Sequence, residues 1–220
     1  MTLVVAIDGP SGSGKSTVAR AVATELGLEV LDTGAMYRAV TLAAMEKGVP
    51  LDDGAACAGV ARAAVISVEQ GVTRVDGRDV SAEIRGPVVT AAVSTVAAHP
   101  GVREVLVAEQ RAWIARHRGG VVEGRDIGTV VFPDATVKVF LDASDDERAR
   151  RRQRDEVAAD RTVAVEDVKA ALDRRDAIDT GRKVSPLRAA DDAIMIDTTH
   201  LDVDAVVADV VARARAAEAS

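Results

Sequence analysis

The stretch Gly9-Pro10-Ser11-Gly12-Ser13-Gly14-Lys15-Ser16 lies between the apolar run Leu3-Val4-Val5-Ala6-Ile7 and a segment in which Val18, Val22 and Leu26, with Ala19 and Ala23, recur at helical spacing. It fits G-x-x-x-x-G-K-[ST], and a strand before it and an amphipathic helix after it are the context that pattern needs. Glycines let backbone N–H groups curl around phosphate oxygens that side chains would keep away. The opening turn of the helix adds a partial positive charge. At this spacing Lys15 reaches the β- and γ-phosphates of a nucleotide, and the Ser16 hydroxyl ligates Mg²⁺. Gly9, Pro10, Ser11, Gly12, Ser13, Gly14, Lys15, Ser16 and Thr17 are therefore expected to bind ATP. The loop settles nucleotide binding and leaves the reaction open, because switches, motors and kinases all use it.

Working outward, five short runs read as strands: Leu3–Ile7, Glu29–Leu31, Val121–Glu123, Val137–Leu141 and Ile194–Ile196. Helical patterns separate them. Pro100 opens one that carries Val102, Val105, Leu106 and Trp113, and the last shows Val203, Val206, Val207, Val210 and Val211 on one stripe. Alternation of this kind predicts a parallel sheet covered on both faces, with ligands at the carboxyl ends of its strands. Val65–Glu69 and Val72–Val75, joined by Gln70-Gly71, read as a small inserted hairpin, with Asp76-Gly77 a further turn and Gly77-Arg78-Asp79 part of it. Residues 148–187 are charge-dense, with six arginines from Arg148 to Arg161, and read as helical arms around a mobile segment.

With 220 residues the chain can bury one sizeable core, and at 2% aromatic content that core must be Val, Ala, Leu and Ile. The first apolar run ends at Asp8, too short for a signal peptide or a membrane span. Cys57 is the only cysteine, so neither an internal disulfide nor a multi-cysteine metal site is available, and a cytoplasmic protein is expected. A net charge of −7 argues against nucleic-acid or membrane partners, and no long apolar strip calls for an obligate partner, so a monomer is expected. His99, His117 and His200 lack ligand spacing, and Trp113 reads as packing.

Three further segments identify the acceptor side. Asp32-Thr33-Gly34-Ala35-Met36-Tyr37-Arg38, the run Glu123-Gly124-Arg125-Asp126-Ile127-Gly128-Thr129-Val130-Val131-Phe132-Pro133, and Arg175-Asp176-Ala177-Ile178-Asp179-Thr180-Gly181-Arg182 with Pro186-Leu187 follow the phosphate loop in order. Together they span nearly the whole chain, and they resemble the acceptor segment, central strand end and lid of bacterial cytidylate kinases. The resemblance implies an α/β P-loop NTPase fold with a five-stranded parallel sheet flanked by helices. Residues 1–61, 88–150 and 188–220 would form the core, 62–87 the insertion that binds the monophosphate, and 151–187 a lid. It implies transfer of the γ-phosphoryl group of ATP, with Mg²⁺, to CMP or dCMP. Thr33, Tyr37 and Arg38 would line the acceptor pocket, with Arg38 on its phosphate, and Ser94 and Arg103 would face cytosine. Arg125 would hold phosphate and Asp126 accept from the base amino group. Arg175 and Asp179 would contact ribose and Arg182 bridge toward the phosphates, so Lys15, Arg125, Arg175 and Arg182 form the catalytic set. Ile178 and Thr180 stand where some members of the family carry extra lid arginines, and Thr33 replaces a serine while keeping the hydroxyl.

The base assignment has its own chemical support. A carboxylate accepts from cytosine N4, whereas uracil presents only the O4 acceptor there, so Asp126 predicts a preference for CMP over UMP. Asp32 reads equally as a Mg²⁺ partner through water or as a cap at the end of a strand. Of the cluster Arg148–Arg154, most members read as a solvated helix face beside Asp145, Asp146, Glu147, Asp155 and Glu156, with one or two reaching ATP. Rival readings are a P-loop kinase for UMP, AMP or shikimate, and a nucleotide-sensing switch without turnover.

Overall fold

The computed structural model describes residues 2–158 and 160–219. In chain order the elements are β1 (Val4–Asp8), α1 (Lys15–Leu26), β2 (Val30–Asp32), α2 (Thr33–Glu46), α3 (Gly54–Ala63), β3 (Ile66–Glu69), β4 (Val72–Val75), β5 (Arg78–Asp79), α4 (Pro87–Ala97), α5 (Pro100–His117), β6 (Gly120–Gly124), β7 (Val137–Asp142), α6 (Asp145–Ala158), α7 (Val165–Gly181), β8 (Ile194–Asp197) and α8 (Val203–Glu218). A 3₁₀ turn at Glu83–Arg85 and a π-helical turn at Ile127–Val131 complete them.

The five expected strands form one parallel sheet in the order β2-β6-β1-β7-β8. Alternation along each strand splits the core into two layers, because successive side chains point to opposite faces. Val5 and Ile7 of β1, with Val121 of β6 and Val139 and Leu141 of β7, face α1 and α8, where they meet Val18, Val22, Val206 and Val210. Ala6, Leu31 and Val122 face the other way, onto Ala35, Met36 and Val40 of α2 and Leu106 and Trp113 of α5. Valine lowers helix propensity by a few tenths of a kcal/mol, yet full burial returns roughly 2 kcal/mol per side chain, so the valine-rich α8 is held by its packing. Trp113 is buried and stacks on His117, and His99 lies 2.8 Å from the Leu51 carbonyl through Nε2.

The insertion differs from the expected hairpin. It is a three-stranded antiparallel sheet, β3-β4-β5, because Arg78 pairs with Val75 and Asp79 with Arg74 instead of lying in the turn. Gln70 and Gly71, then Asp76 and Gly77, have φ of 51°, 78°, 51° and 83°. Positive φ at both central residues is the tight hairpin geometry whose twist matches flanking strands, so each pair closes one hairpin. Val68, Val75, Val80 and Ile84 bury this sheet against α2. Residues 148–187 hold two helical arms, as expected: α6 begins at Asp145, ahead of the expected lid boundary at 151, and α7 runs to Gly181. Val168 and Leu172 of α7 pack on Ala149 of α6 in a small core of their own. No helix among the described residues is long and apolar enough to cross a membrane.

Candidate active site

A cleft of about 1000 Å³ opens at the carboxyl ends of β1, β2 and β6, where the chain leaves the sheet. Ser11, Gly12, Gly14, Lys15, Ser16 and Thr17 line one end; Gly9, Pro10 and Ser13 lie buried under the loop and shape it. Gly9 has φ 147°, and a Cβ there would stand 2.0 Å from the Leu141 carbonyl oxygen, so only glycine lets β1 turn into the loop beside β7. The helix that follows starts without a side-chain cap, which leaves its first amides available to an anion.

Within the loop, Lys15 Nζ donates to the Pro10 carbonyl at 2.6 Å and to Ser13 Oγ at 3.4 Å, curling the ammonium over the loop's own backbone. Burial and the nearby Arg125 guanidinium push its pKa well below the usual lysine range. Ser16 Oγ donates to Glu123 Oε2 at 2.7 Å. Burial and Asp32 push the Glu123 carboxyl upward.

At the far end every residue expected on the acceptor side lines the same cleft: Thr33, Tyr37, Arg38, Ser94, Arg103, Arg125, Asp126, Arg175, Asp179 and Arg182. Arg103 forms a close, buried ion pair with Asp126, donates to the Ala97 carbonyl, and covers the Tyr37 ring at 5.2 Å. Thr33 Oγ1 donates to the Glu123 carbonyl at 2.7 Å, which fixes the start of α2 against the end of β6. Arg38 is held by the Ile84 carbonyl (2.9 Å) and Thr90 Oγ1 (2.7 Å), so the insertion and α4 aim it. From α7, Asp179 accepts from Arg125 Nε at 3.0 Å, and its carbonyl accepts from Arg182 Nε at 3.1 Å. Arg175 donates to Ser11 Oγ at 3.3 Å, linking α7 to the phosphate loop.

The charge state of this cleft is telling. Lys15, Arg38, Arg175 and Arg182 are all pushed below their ordinary ranges, each mainly by burial and then by neighbouring cations. Asp179 runs the other way: although burial opposes its ionisation, Arg125, Arg182 and Arg175 hold it below the usual carboxylate range. Converging buried cations that raise one another's energy are stabilised when anions enter between them. The arrangement suits a polyanion spread over two sites.

A family model described as cytidylate kinase matches residues 5–216. The chain belongs to the cytidylate kinase family. It is 50% identical over 209 residues to the cytidylate kinase of Nocardia farcinica (strain IFM 10152), covering 93% of this chain and 90% of that one. It is 53% identical over 205 residues to the bifunctional pantoate ligase/cytidylate kinase of Synechococcus sp. (strain JA-2-3B'a(2-13)). The match covers 90% of this chain but only 38% of that longer protein. Among solved structures, a gluconokinase from Sinorhizobium meliloti 1021 shares the fold with a TM-score of 0.52 at 15% identity, over 99% of this chain and 94% of that one.

Cytidylate kinase membership implies a magnesium nucleotide, and the donors at the loop fit one. Mg²⁺ in such sites takes one or two protein oxygens and fills its shell with phosphates and water. Ser16 Oγ and the Glu123 carboxylate, hydrogen-bonded to each other at the start of α1, are hard oxygen donors of that kind. Asp32 is a strand-end cap, accepting from Ala35 N at 2.9 Å, and it also pairs with Arg85 at 3.0 Å while lining the cleft.

Some site residues escaped sequence reasoning, and from Arg148–Arg154 one or two were expected to reach ATP without being named. Glu123 carries no spacing signal of its own beyond being a carboxylate at the end of an apolar strand. Arg148 is buried, donating to the Ser11 carbonyl at 3.1 Å and pairing closely with Asp176, while Asp176 accepts from Ser11 N at 3.4 Å. Arg151 spans α6 to the loop after β8, donating to the Thr198 hydroxyl (2.9 Å) and carbonyl (2.6 Å), and it lines the cleft with Arg154 and Arg161. Arg150 and Arg154 expose 66% and 70% of their side chains, so the solvated face expected of this cluster belongs to them.

Proposed function

We propose that the chain transfers the γ-phosphoryl group of ATP to CMP, and also to dCMP, giving the nucleoside diphosphate and ADP. One observation carries the reading: the phosphate loop and the buried Arg103–Asp126 pair share a single cleft, which supports a nucleoside triphosphate and a cytosine nucleotide meeting there, with their phosphates toward Lys15 and Arg125. As the anion of an ion pair, Asp126 only accepts hydrogen bonds, which suits cytosine N4 and leaves uracil O4 opposed by like charge. Ser94 and Arg103 complete the base side, Thr33, Tyr37 and Arg38 the acceptor wall with Arg38 on the phosphate, and Arg175 and Asp179 the ribose side.

The acceptor phosphate is already an anionic nucleophile and needs no dedicated base. Catalysis is then alignment plus charge neutralisation. Lys15 and Arg125 hold donor and acceptor phosphates, while Arg175 and Arg182 bring charge from α7; planar guanidinium groups suit phosphate oxygens through paired N–H donation. Ser16 and Glu123, with Asp32 through water, would hold Mg²⁺ with the nucleotide, and the ion would supply charge neutralisation at the phosphates. Residues 62–87 form the acceptor-side insertion in this reading, and 151–187 a lid that excludes water as the competing acceptor. A net charge of −7 and a lone buried cysteine support a cytoplasmic monomer that works on small nucleotides, with neither nucleic acid nor membrane as partner.

A coupled ADP-release assay with each monophosphate tests the proposal. Turnover is expected with CMP and dCMP and weakly with UMP, Lys15→Ala should lower kcat by about a thousandfold, and Asp126→Ala should cut the CMP-over-UMP preference by about a hundredfold. ATP binding without ADP release on adding any monophosphate would instead identify a switch.

A further inference from the structure

Behind the cleft lies one buried carboxylate to which neither the sequence nor the reading above gives a task. Asp8 ends β1, one peptide bond before Gly9 of the phosphate loop, and is 4% exposed. It does not line the cleft. Its two oxygens accept from two successive main-chain amides, Oδ1 from Ile127 N and Oδ2 from Gly128 N, both at 2.8 Å. Those amides open the π-helical turn at Ile127–Val131, directly after Arg125 and Asp126.

That turn has no cap of its own. Asp126 precedes it with φ −145° and ψ 24°, and its side chain makes no capping bond there. The first amides of a helical turn have no partner within it, and a carboxylate that accepts two of them is a strong, charge-assisted anchor. Register places the anchor where it matters: β1 and β6 pair Asp8 with Gly124, the residue before Arg125. Burial pushes the Asp8 pKa up to about 6 against the pull of the Gly128 and Ile127 amides, and both Asp126 and Lys15 stand near enough to shift it. A stiff connection therefore runs from the loop that holds the donor phosphates to the two residues that face the acceptor. Misplacement by about 1 Å can cost roughly a hundredfold in an aligned transfer, so such a connection has kinetic weight.

We propose that Asp8 is a positioning residue, which holds the Arg125–Asp126 turn in register with the phosphate loop and thereby sets acceptor alignment and base discrimination. This role rests on the kinase reading above.

Asp8→Asn tests it, since an amide offers one acceptor and one donor where the turn presents two donors. Assayed near pH 8, the variant should lose about a hundredfold in kcat/KM for CMP, mostly in kcat, and about tenfold in the CMP-over-UMP ratio. Its ATP affinity, read by equilibrium binding, should stay within about twofold. A folded variant with unchanged kcat and unchanged base ratio, whatever its Tm, overturns the proposal. Should Asp8→Asn fail to fold, hydrogen exchange of the wild-type chain decides: Ile127 and Gly128 amides as protected as the β1–β6 ladder support the anchor, and exchange at open-loop rates overturns it. Wild-type chain that binds ATP but does not turn over CMP overturns the kinase reading and this role together, whereas normal wild-type turnover beside an unaffected variant overturns this role alone.

Discussion

At the scale of single residues, chemistry here depends on what each side chain is forced to sit beside. Lys15 is buried among Arg125, Glu123, Asp8 and Asp176, with burial and Arg125 lowering its pKa. Nucleotide phosphates reverse that pressure, so ATP binding near pH 8 should take up as much as about one proton, seen as a dependence of binding enthalpy on buffer ionisation. No dependence on buffer would show that Lys15 is fully charged without ligand. Gly9 supplies a second residue-scale test. Alanine there meets the Leu141 carbonyl and a disfavoured φ, so Gly9→Ala should cost about 3 kcal/mol or more, measured by denaturant unfolding. These residues were legible because the motif names them. The partners of Glu123, Asp8 and Asp176 were not, because a single carboxylate, whether inside a motif or beside one, has no spacing to announce what it meets.

Elements set which of these side chains can meet. Helix α7 carries Arg175 and Asp176 to the phosphate loop and Asp179 to Arg125, and α6 braces it through the Arg148–Asp176 pair and a small apolar core. Ser11 is held from both helices, accepting from Arg148 and donating to Asp176. If α6 and α7 act as the lid, limited proteolysis should cut the chain within 151–187 in the free protein, and ATP with CMP should slow that cutting about tenfold. Equal cutting with and without both nucleotides would count against a lid. The insertion behaves differently: β3-β4-β5 is pinned on α2 by Val68, Val75, Val80 and Ile84, and the carbonyl of Ile84 aims Arg38. Its hairpin was readable from Gln70-Gly71, whereas β5 was not, because two residues are too few to show a strand period.

For the molecule as a whole, the site imposes a pH signature on stability. The folded pKa of Asp8 is raised by burial from 3.8 to about 6. Such a group contributes stability that is fully present below about pH 4 and is lost as pH rises through 6, because the folded state binds the proton more tightly. The shift corresponds to about 3 kcal/mol at most. The destabilisation caused by Asp8→Asn should therefore shrink as pH rises from about 4 to 7, and a constant difference across that window would contradict the burial argument. Asp179 pulls the opposite way: its depressed pKa contributes stability that is present above the unfolded value and is lost as pH falls through the folded one. The free protein thus holds a carboxylate of each kind, Asp179 in the cleft and Asp8 behind it.

The amino-acid string by itself determined the features that depend on neighbours a few positions away: the phosphate loop between a strand and a helix, the five apolar runs, the valine stripe of α8 and the tight turn of the insertion. Periodicity reports which face of an element is buried, and it is silent on which element covers that face. The pairs that make a site from those parts are far apart in the chain. Arg125 meets Asp179 at a separation of 54 residues, Ser16 meets Glu123 at 107, and Asp8 meets Ile127 at 119. They touch only because β1 lies between β6 and β7 in a sheet whose order does not follow the chain, and because the ends of those strands open onto one cleft. Tertiary structure decided these contacts, since hydrogen bonds and ion pairs act over a few ångströms in space, whatever the distance along the chain.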